Sequence, residues 1–269
     1  MSFTSPERHV LVSVALYVLV ALVGLAVGSF LNVVIHRVPR HESLVRPRSH
    51  CPNCDVEIAD RDNIPLLSWV LLRGRCRHCR APISLRYPLV ELATGLLFLG
   101  ASWRSGLSWS LPAYLVWLAG LLALALIDLE QMKLPRPIVY TTLAPTTVLL
   151  TLASAATHDW HRLEVGAIAG AAWFVVFFIL NFASPRLLGF GDVRLAPLLG
   201  LALGWQSVGE VVVAFFLSNL LGAIIGLALI AAGKIRRDQP IPYGVFLALG
   251  CIVTYFAGPA LITWTHLPL

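Results

Sequence analysis

The chain has 269 residues, of which 58% are hydrophobic and only 13% charged. That balance excludes an ordinary soluble globule and points to a polytopic membrane protein. The formal net charge of +6 does not indicate nucleic-acid binding, because the basic residues fall where membrane topology would put them.

A helix needs about 20 apolar residues to cross a bilayer. Uncharged runs of that order cover residues 10–35, 105–127, 137–157, 165–185, 211–233 and 239–265. Two shorter runs, 87–103 with Glu91 and 195–209, are also read as spans. The first run is not a cleaved signal peptide, because its 26 uncharged residues are too many and basic residues follow it rather than precede it. With Met1 outside and each span reversing the side, 17 of the 20 Lys and Arg fall inside. They are ten Arg within residues 37–86, then Lys133, Arg136, Arg186, Arg194, Lys234, Arg236 and Arg237. Arg8, Arg104 and Arg162 stay outside. This is the bias the positive-inside rule requires, and losing either short span would invert half of it. It puts both termini outside and both Asp128 and Asp192 at the cytoplasmic edge.

The expected fold is therefore an all-α polytopic membrane protein. About eight transmembrane helices carry a small zinc-knuckle cytoplasmic domain inserted after the first. The expected divisions are 1–36 for the first transmembrane segment, 37–86 for the cytoplasmic zinc-binding domain and 87–269 for the transmembrane helical bundle. Four Gly-x-x-x-Gly pairs lie in apolar context: Gly24/Gly28, Gly166/Gly170, Gly200/Gly204 and Gly222/Gly226. Small residues one turn apart let helix backbones approach, so these pairs are read as internal packing. No internal repeat supports an inverted-repeat transporter.

Cys51, Cys54, Cys76 and Cys79 form two Cys-x-x-Cys knuckles, 21 residues apart. Paired thiolates at that spacing supply the corners of a tetrahedron, which suits a structural Zn2+ closed by four Cys. The segment is cytoplasmic by the charge map, hence reducing, which disfavours disulfides. It also has few large apolar side chains, so a metal staple has work to do. His50 and His78 are read as bystanders and Cys251 as a small apolar residue.

The remaining chemistry rests on two acids. Asp128 ends the apolar run 114–127, and Pro135 and Pro137 stop that helix from continuing. Asp192 follows Gly189, Phe190 and Gly191, just before the run that starts at Leu195. Two glycines ahead of an acid allow irregular backbone and close approach of another chain. A carboxylate in or beside hydrocarbon is costly, and two at one membrane edge imply a shared site. Such a pair can split a peptide bond: one carboxylate takes a proton from water, the other polarises the carbonyl. Asp192 opens a helix and Asp128 closes one, so the helix dipoles favour the negative charge on Asp192. Glu130 reads as solvated, and Glu91 as a partner for Arg86 or the loop segment.

These residues resemble the type IV prepilin peptidase family, the Gly-x-Gly-Asp membrane aspartic proteases. The likeness extends to residues 28–39 with Gly28, Asn32, Arg37 and Pro39, and to residues 63–69 and 87–91 around the cysteines. It also takes in residues 241–250 with Gly244 and Gly250 in the last span. The resemblance implies that Asp128 and Asp192 are catalytic, with Gly189, Gly191, Arg194 and Pro135 supporting the site. It implies cleavage of the basic leader from prepilins or pseudopilins at the cytoplasmic face of the bacterial inner membrane. It further implies methylation of the new N-terminus with S-adenosylmethionine. No glycine-rich cofactor loop is visible for that donor, and the sequence assigns it no residues. Two positions depart from the family pattern: Arg194 stands where Lys is usual, and Pro197 where Ala is common. The rival readings are a proton-coupled transporter using the Asp pair as a relay and a non-enzymatic anchor. The expected partners are the protein substrate and the lipid bilayer, not nucleic acid.

Overall fold

The computed structural model describes residues 5–184, 188–236, 239 and 241–265. The remaining positions, among them Pro185, Arg186, Arg237 and Pro240 of the expected runs and charge map and both chain ends, lie outside the described residues. The described residues form nine α-helices and two single 3-10 turns, with no β-strand among them. Six of the helices are long and apolar enough to cross a membrane. The chain divides into two compact units, residues 1–107 and 108–269.

The first unit contains α1 (Ser5–Arg37), the short α2 (Leu67–Leu71) and α3 (Arg86–Ser105). α1 runs for 33 residues, about 50 Å at 1.5 Å per residue. Its two spaced glycines lie on α3: a Cβ on Gly24 would stand 2.9 Å from Cα of Gly95, and one on Gly28 2.7 Å from Cα of Glu91. The helices thus touch backbone to backbone, which any larger side chain would prevent. Asn32 completes the seam by donating from Nδ2 to the Tyr87 carbonyl at 3.1 Å. Arg37, nearly buried, donates to the carbonyls of Ser43 and Pro47 and so shapes the chain leaving α1.

The second unit contains α4 (Leu111–Gln131), α5 (Arg136–Thr157), α6 (Trp160–Ala183), α7 (Phe190–Gln206), α8 (Val208–Ala231) and α9 (Tyr243–Thr265). Its core is α4 and α7. Tyr114, Trp117, Leu118, Leu121, Leu124 and Ile127 of α4 and Leu195 and Leu198 of α7 are fully buried. α7 is touched by α5, α6, α8 and α9 and is buried along most of its 17 residues. This wrapping by protein explains why its apolar run is short for a lipid-facing span. The other short run is also helical, as α3.

Close packing again follows the small residues. A Cβ on Gly170 would lie 2.9 Å from the Pro197 carbonyl oxygen, and one on Gly200 2.6 Å from that of Ala169, so α6 and α7 meet at their backbones. Gly222 and Gly226 of α8 face Phe246 and Ile241. Polar groups inside the bundle cross-link it, as apolar surroundings favour. The Tyr114 hydroxyl donates to the Ala202 carbonyl at 2.8 Å, and Trp205 Nε1 donates to Ser154 Oγ at 2.9 Å.

Candidate active site and metal centre

In the first unit the two cysteine knuckles repeat one backbone pattern. Cys51 donates its amide to the Val56 carbonyl, and Asp55 donates back to the Cys51 carbonyl. Cys76 donates to Ala81, and Arg80 donates back to Cys76. Asp55 and Arg80 both sit at positive φ, 59° and 61°. The tight turn this creates aims the paired thiols to one side. All four sulfur atoms lie within 4.8 Å of one another, and the Cys51 and Cys79 sulfurs are 3.7 Å apart. A tetrahedron with Zn–S bonds of about 2.3 Å has edges of about 3.8 Å, so four thiolates here could bind a metal ion of that size.

Electrostatics fit the same reading. The Ala81 amide and the Asn53 side chain pull the Cys79 thiol down to about 6. The Val56 amide favours the Cys54 thiolate, but desolvation and the three neighbouring thiols together outweigh it and push the thiol up to about 12. Four crowded sulfurs cannot all ionise without a cation among them. His50 instead faces Asp55 and the Arg48 carbonyl, as a bystander would. Asp62 accepts two bonds from the Arg77 guanidinium, at 2.8 and 2.6 Å, tying the 3-10 turn Asp60–Asp62 to the second knuckle. That cation holds the Asp62 carboxyl below the usual carboxylate range. Glu91 turns to the loop rather than to catalysis, its Oε2 accepting the Leu66 amide at 2.8 Å.

In the second unit the two acids come together. Asp128 lies in the last turn of α4, which closes with the Met132 amide on the Asp128 carbonyl and Met132 itself at φ 52°. Asp192 lies in the first turn of α7, after Gly189 in extended conformation. Both side chains are buried, at 5% and 7% exposure.

Further residues surround the two acids. The Val245 amide, in the first turn of α9, donates to Asp128 Oδ2 at 3.2 Å. A Cβ on Gly244 would stand 2.9 Å from that oxygen and 3.1 Å from Leu134. A Cβ on Gly191 would stand 3.1 Å from Cβ of the same leucine. Leu134, in the loop between α4 and α5, therefore touches both a glycine next to Asp192 and the glycine facing Asp128. Pro135 caps α5 directly behind it. Arg194 lays its guanidinium over the Phe190 ring, 4.8 Å from the centroid. Tyr243 donates to Asn219 at 2.9 Å, holding the start of α9, and Asn181 donates to the Leu188 carbonyl at 2.6 Å, holding the entry to Gly189.

The Val245 bond bears on the expected charge asymmetry. Asp128 ends its own helix, but its carboxylate also meets the amide end of another, so each acid faces a helix N-terminus. The Gly244 motif was visible in the sequence. Its contact with Asp128 was not, because 116 residues separate them and no periodicity links the two.

Apolar helices holding two buried carboxylates, in one chain with a four-thiol cluster, define a multi-pass membrane protein with a candidate acid–base site. Comparison with known proteins agrees. Residues 22–105 match the bacterial peptidase A24 N-terminal domain, and residues 115–227 match the type IV leader peptidase family. The chain is 37% identical to a prepilin leader peptidase/N-methyltransferase of Stutzerimonas stutzeri, over 87% of this chain and 88% of that protein. It is 43% identical to one of Myxococcus xanthus, over 91% of this chain and 74% of that protein. It is 36% identical to one of Aeromonas hydrophila, over 91% and 92%. No solved structure matches. The chain belongs to the type IV leader peptidase family.

Proposed function

We propose that this chain is a membrane aspartic endopeptidase that removes the leader from type IV prepilins or pseudopilins, using Asp128 and Asp192. What supports the proposal is the burial of both carboxylates around one loop residue: Leu134 packs against Gly191, next to Asp192, and against Gly244, which faces Asp128 Oδ2. One carboxylate takes a proton from water as the water oxygen bonds to the scissile carbonyl carbon. The other, protonated, donates to the carbonyl oxygen. The tetrahedral intermediate then collapses, the C–N bond breaks, and the leaving amine takes up a proton from the pair. Gly189, Gly191 and Gly244 let the two acids and Leu134 pack directly against backbone. Arg194 and Pro135 shape the segments on either side.

The charge bias of the sequence supports placing this site at the cytoplasmic face of a bacterial inner membrane, with the termini outside. A substrate whose apolar helix lies in the bilayer and whose leader lies in the cytoplasm presents its scissile bond at that edge. Residues 37–86 would form the metal-binding insert, with Cys51, Cys54, Cys76 and Cys79 holding Zn2+ in a structural role. The metal would fix the two knuckles against each other. Methylation of the new N-terminus from S-adenosylmethionine rests on the relatives' names alone, and no residue is assigned to it.

The transporter reading finds no support, since the acids sit at helix ends rather than along a polar path. Co-expression with a prepilin tests the proposal. The wild type should shift the substrate's mobility, and Asp128→Asn or Asp192→Asn should not. Cleavage that survives both substitutions overturns it. Mass spectrometry of the product N-terminus reads methylation separately.

A further inference from the structure

One stretch of the loop segment has an inside-out surface. Ile64, Leu67, Val70 and Leu71 are exposed by 46%, 51%, 63% and 71%. Ser68, the polar residue among them, is turned inward and buried. Its Oγ donates to the Arg61 carbonyl and accepts the Ile64 amide, both at 3.0 Å. Trp69 is also turned in, donating from Nε1 to the Ile83 carbonyl at 3.2 Å and covering Gly74. The polar and aromatic groups of α2 thus hold the loop together, and its aliphatic side chains are presented outward. A water-facing helix would have the reverse pattern.

The depth of this element is set by hydrogen bonding. The Leu66 amide, at the start of α2, donates to Glu91 Oε2 at 2.8 Å. Cα of Glu91 lies against Gly28 of α1. Gly28 is nine residues before Arg37, the basic end of the membrane-crossing α1, or about 13 Å at 1.5 Å per residue. Glu91 is itself five residues into α3, about 8 Å inside Arg86. The headgroup layer of one leaflet is about 6–7 Å deep. With the Glu91 side chain leaning back toward Arg86, Leu66 is therefore tied within the headgroup layer, near where acyl chains begin. Exposed Arg61, Arg73 and Arg75 flank the aliphatic patch in sequence, and arginines at that level suit anionic headgroups.

We propose that residues 64–71 are seated in the bilayer interface. Leu67, Val70 and Leu71 enter the acyl-chain boundary, and Arg61, Arg73 and Arg75 meet lipid phosphates. The occupant of this surface is lipid, not a second protein. The loop segment then has a membrane-bound floor, and its metal centre is built on that floor.

The test places an environment-sensitive fluorescent amino acid at Val70 in the full, metal-loaded chain. A reference chain carries the probe at Glu57, whose side chain is 55% exposed on the first knuckle. Both are reconstituted in phosphatidylglycerol/phosphatidylcholine vesicles whose acyl chains are brominated near the headgroup. The expected result is blue-shifted emission at Val70, quenched several-fold more by bromine than at Glu57. Replacing Arg61, Arg73 and Arg75 together by Gln should reduce that quenching in phosphatidylglycerol-rich vesicles but not in pure phosphatidylcholine. Equal quenching at the two positions, with metal content intact, overturns the proposal. So does shielding of Val70 that occurs only when a soluble protein is added.

Discussion

A methyl group on Gly244 would stand 2.9 Å from Oδ2 of Asp128, the same oxygen that accepts the Val245 amide at 3.2 Å. The first turn of α9 therefore holds an α4 carboxylate through its backbone, and only a residue without a side chain allows that approach. Gly244→Ala forces the carboxylate, or α9, to move by several tenths of an ångström. A displacement of order 1 Å at a reacting group can cost about 100-fold in rate. The shift is about half of that, so the expected outcome is a loss of prepilin cleavage of about 10-fold, with little change in the thermal unfolding of the purified protein. Near-normal turnover by Gly244→Ala would show that α9 does not position Asp128.

Asp128 and Asp192 are proposed to act as one unit, so their substitutions should not add. Each Asp→Asn change should lower cleavage by at least about 100-fold, the lower range of what a positioned acid or base supplies. The double variant should be no slower than the worse single one. Multiplying defects in a quantitative gel assay would mean that the two acids serve separate steps.

Much of this architecture could be read from composition and spacing. Long apolar runs announced the spans, and the Arg residues of 37–86 fixed which loop was large and basic. The four cysteines announced their cluster, because two Cys-x-x-Cys pairs constrain geometry whatever lies between them. Three things stayed hidden for physical reasons. The Val245 amide looks like any helix start until the fold brings it to Asp128. Leu134 looks like a loop aliphatic until it is seen against Gly191 and Gly244. Ile64, Leu67, Val70 and Leu71 are too few and too unevenly spaced to signal a membrane-facing element, and only the Leu66–Glu91 bond gives their depth.

The thiol cluster should hold about one metal ion per chain, since four cysteines fill a tetrahedral shell. Cys51→Ser or Cys76→Ser should release it in metal analysis of the purified protein. The loop 37–86 should then become protease-sensitive, because it has little apolar core to replace the staple. Full metal content in a Cys51→Ser/Cys76→Ser double variant would refute the assignment.

The Asp62–Arg77 pair offers a pH signature. Arg77 holds the Asp62 carboxyl below its ordinary range, so the folded-state value is depressed relative to the unfolded one. Its stabilising contribution is then fully present above the unfolded value of about 3.9, and it is lost as pH falls through the folded value. In a double-mutant cycle of Asp62→Asn and Arg77→Gln, thermal unfolding should show favourable coupling that is constant from neutral pH down to about 5. The coupling should fade only below about pH 4. Coupling that rises on acidification would contradict the sign.

Leu134 touches both glycine notches of the proposed site and is only half-buried, so it bounds the space a substrate backbone would enter. Its side chain limits what can stand next to the scissile bond. Leu134→Ala removes that wall at a position with solvent access, where the surroundings can relax and the stability cost stays at the low end of the 2–5 kcal/mol range for buried leucines. The larger effect should be on selectivity. The variant should accept prepilins with bulkier residues flanking the cut that the wild type processes poorly, because a methylene more or less in an apolar pocket is worth about 10–200-fold in discrimination. Leu134→Trp should do the opposite, overfilling the space beside Gly191 and Gly244 and slowing cleavage of every substrate. Competition assays with a panel of substrates substituted beside the cleavage site would separate the two outcomes. Unchanged selectivity in both variants would mean that the substrate approaches the acids from another side.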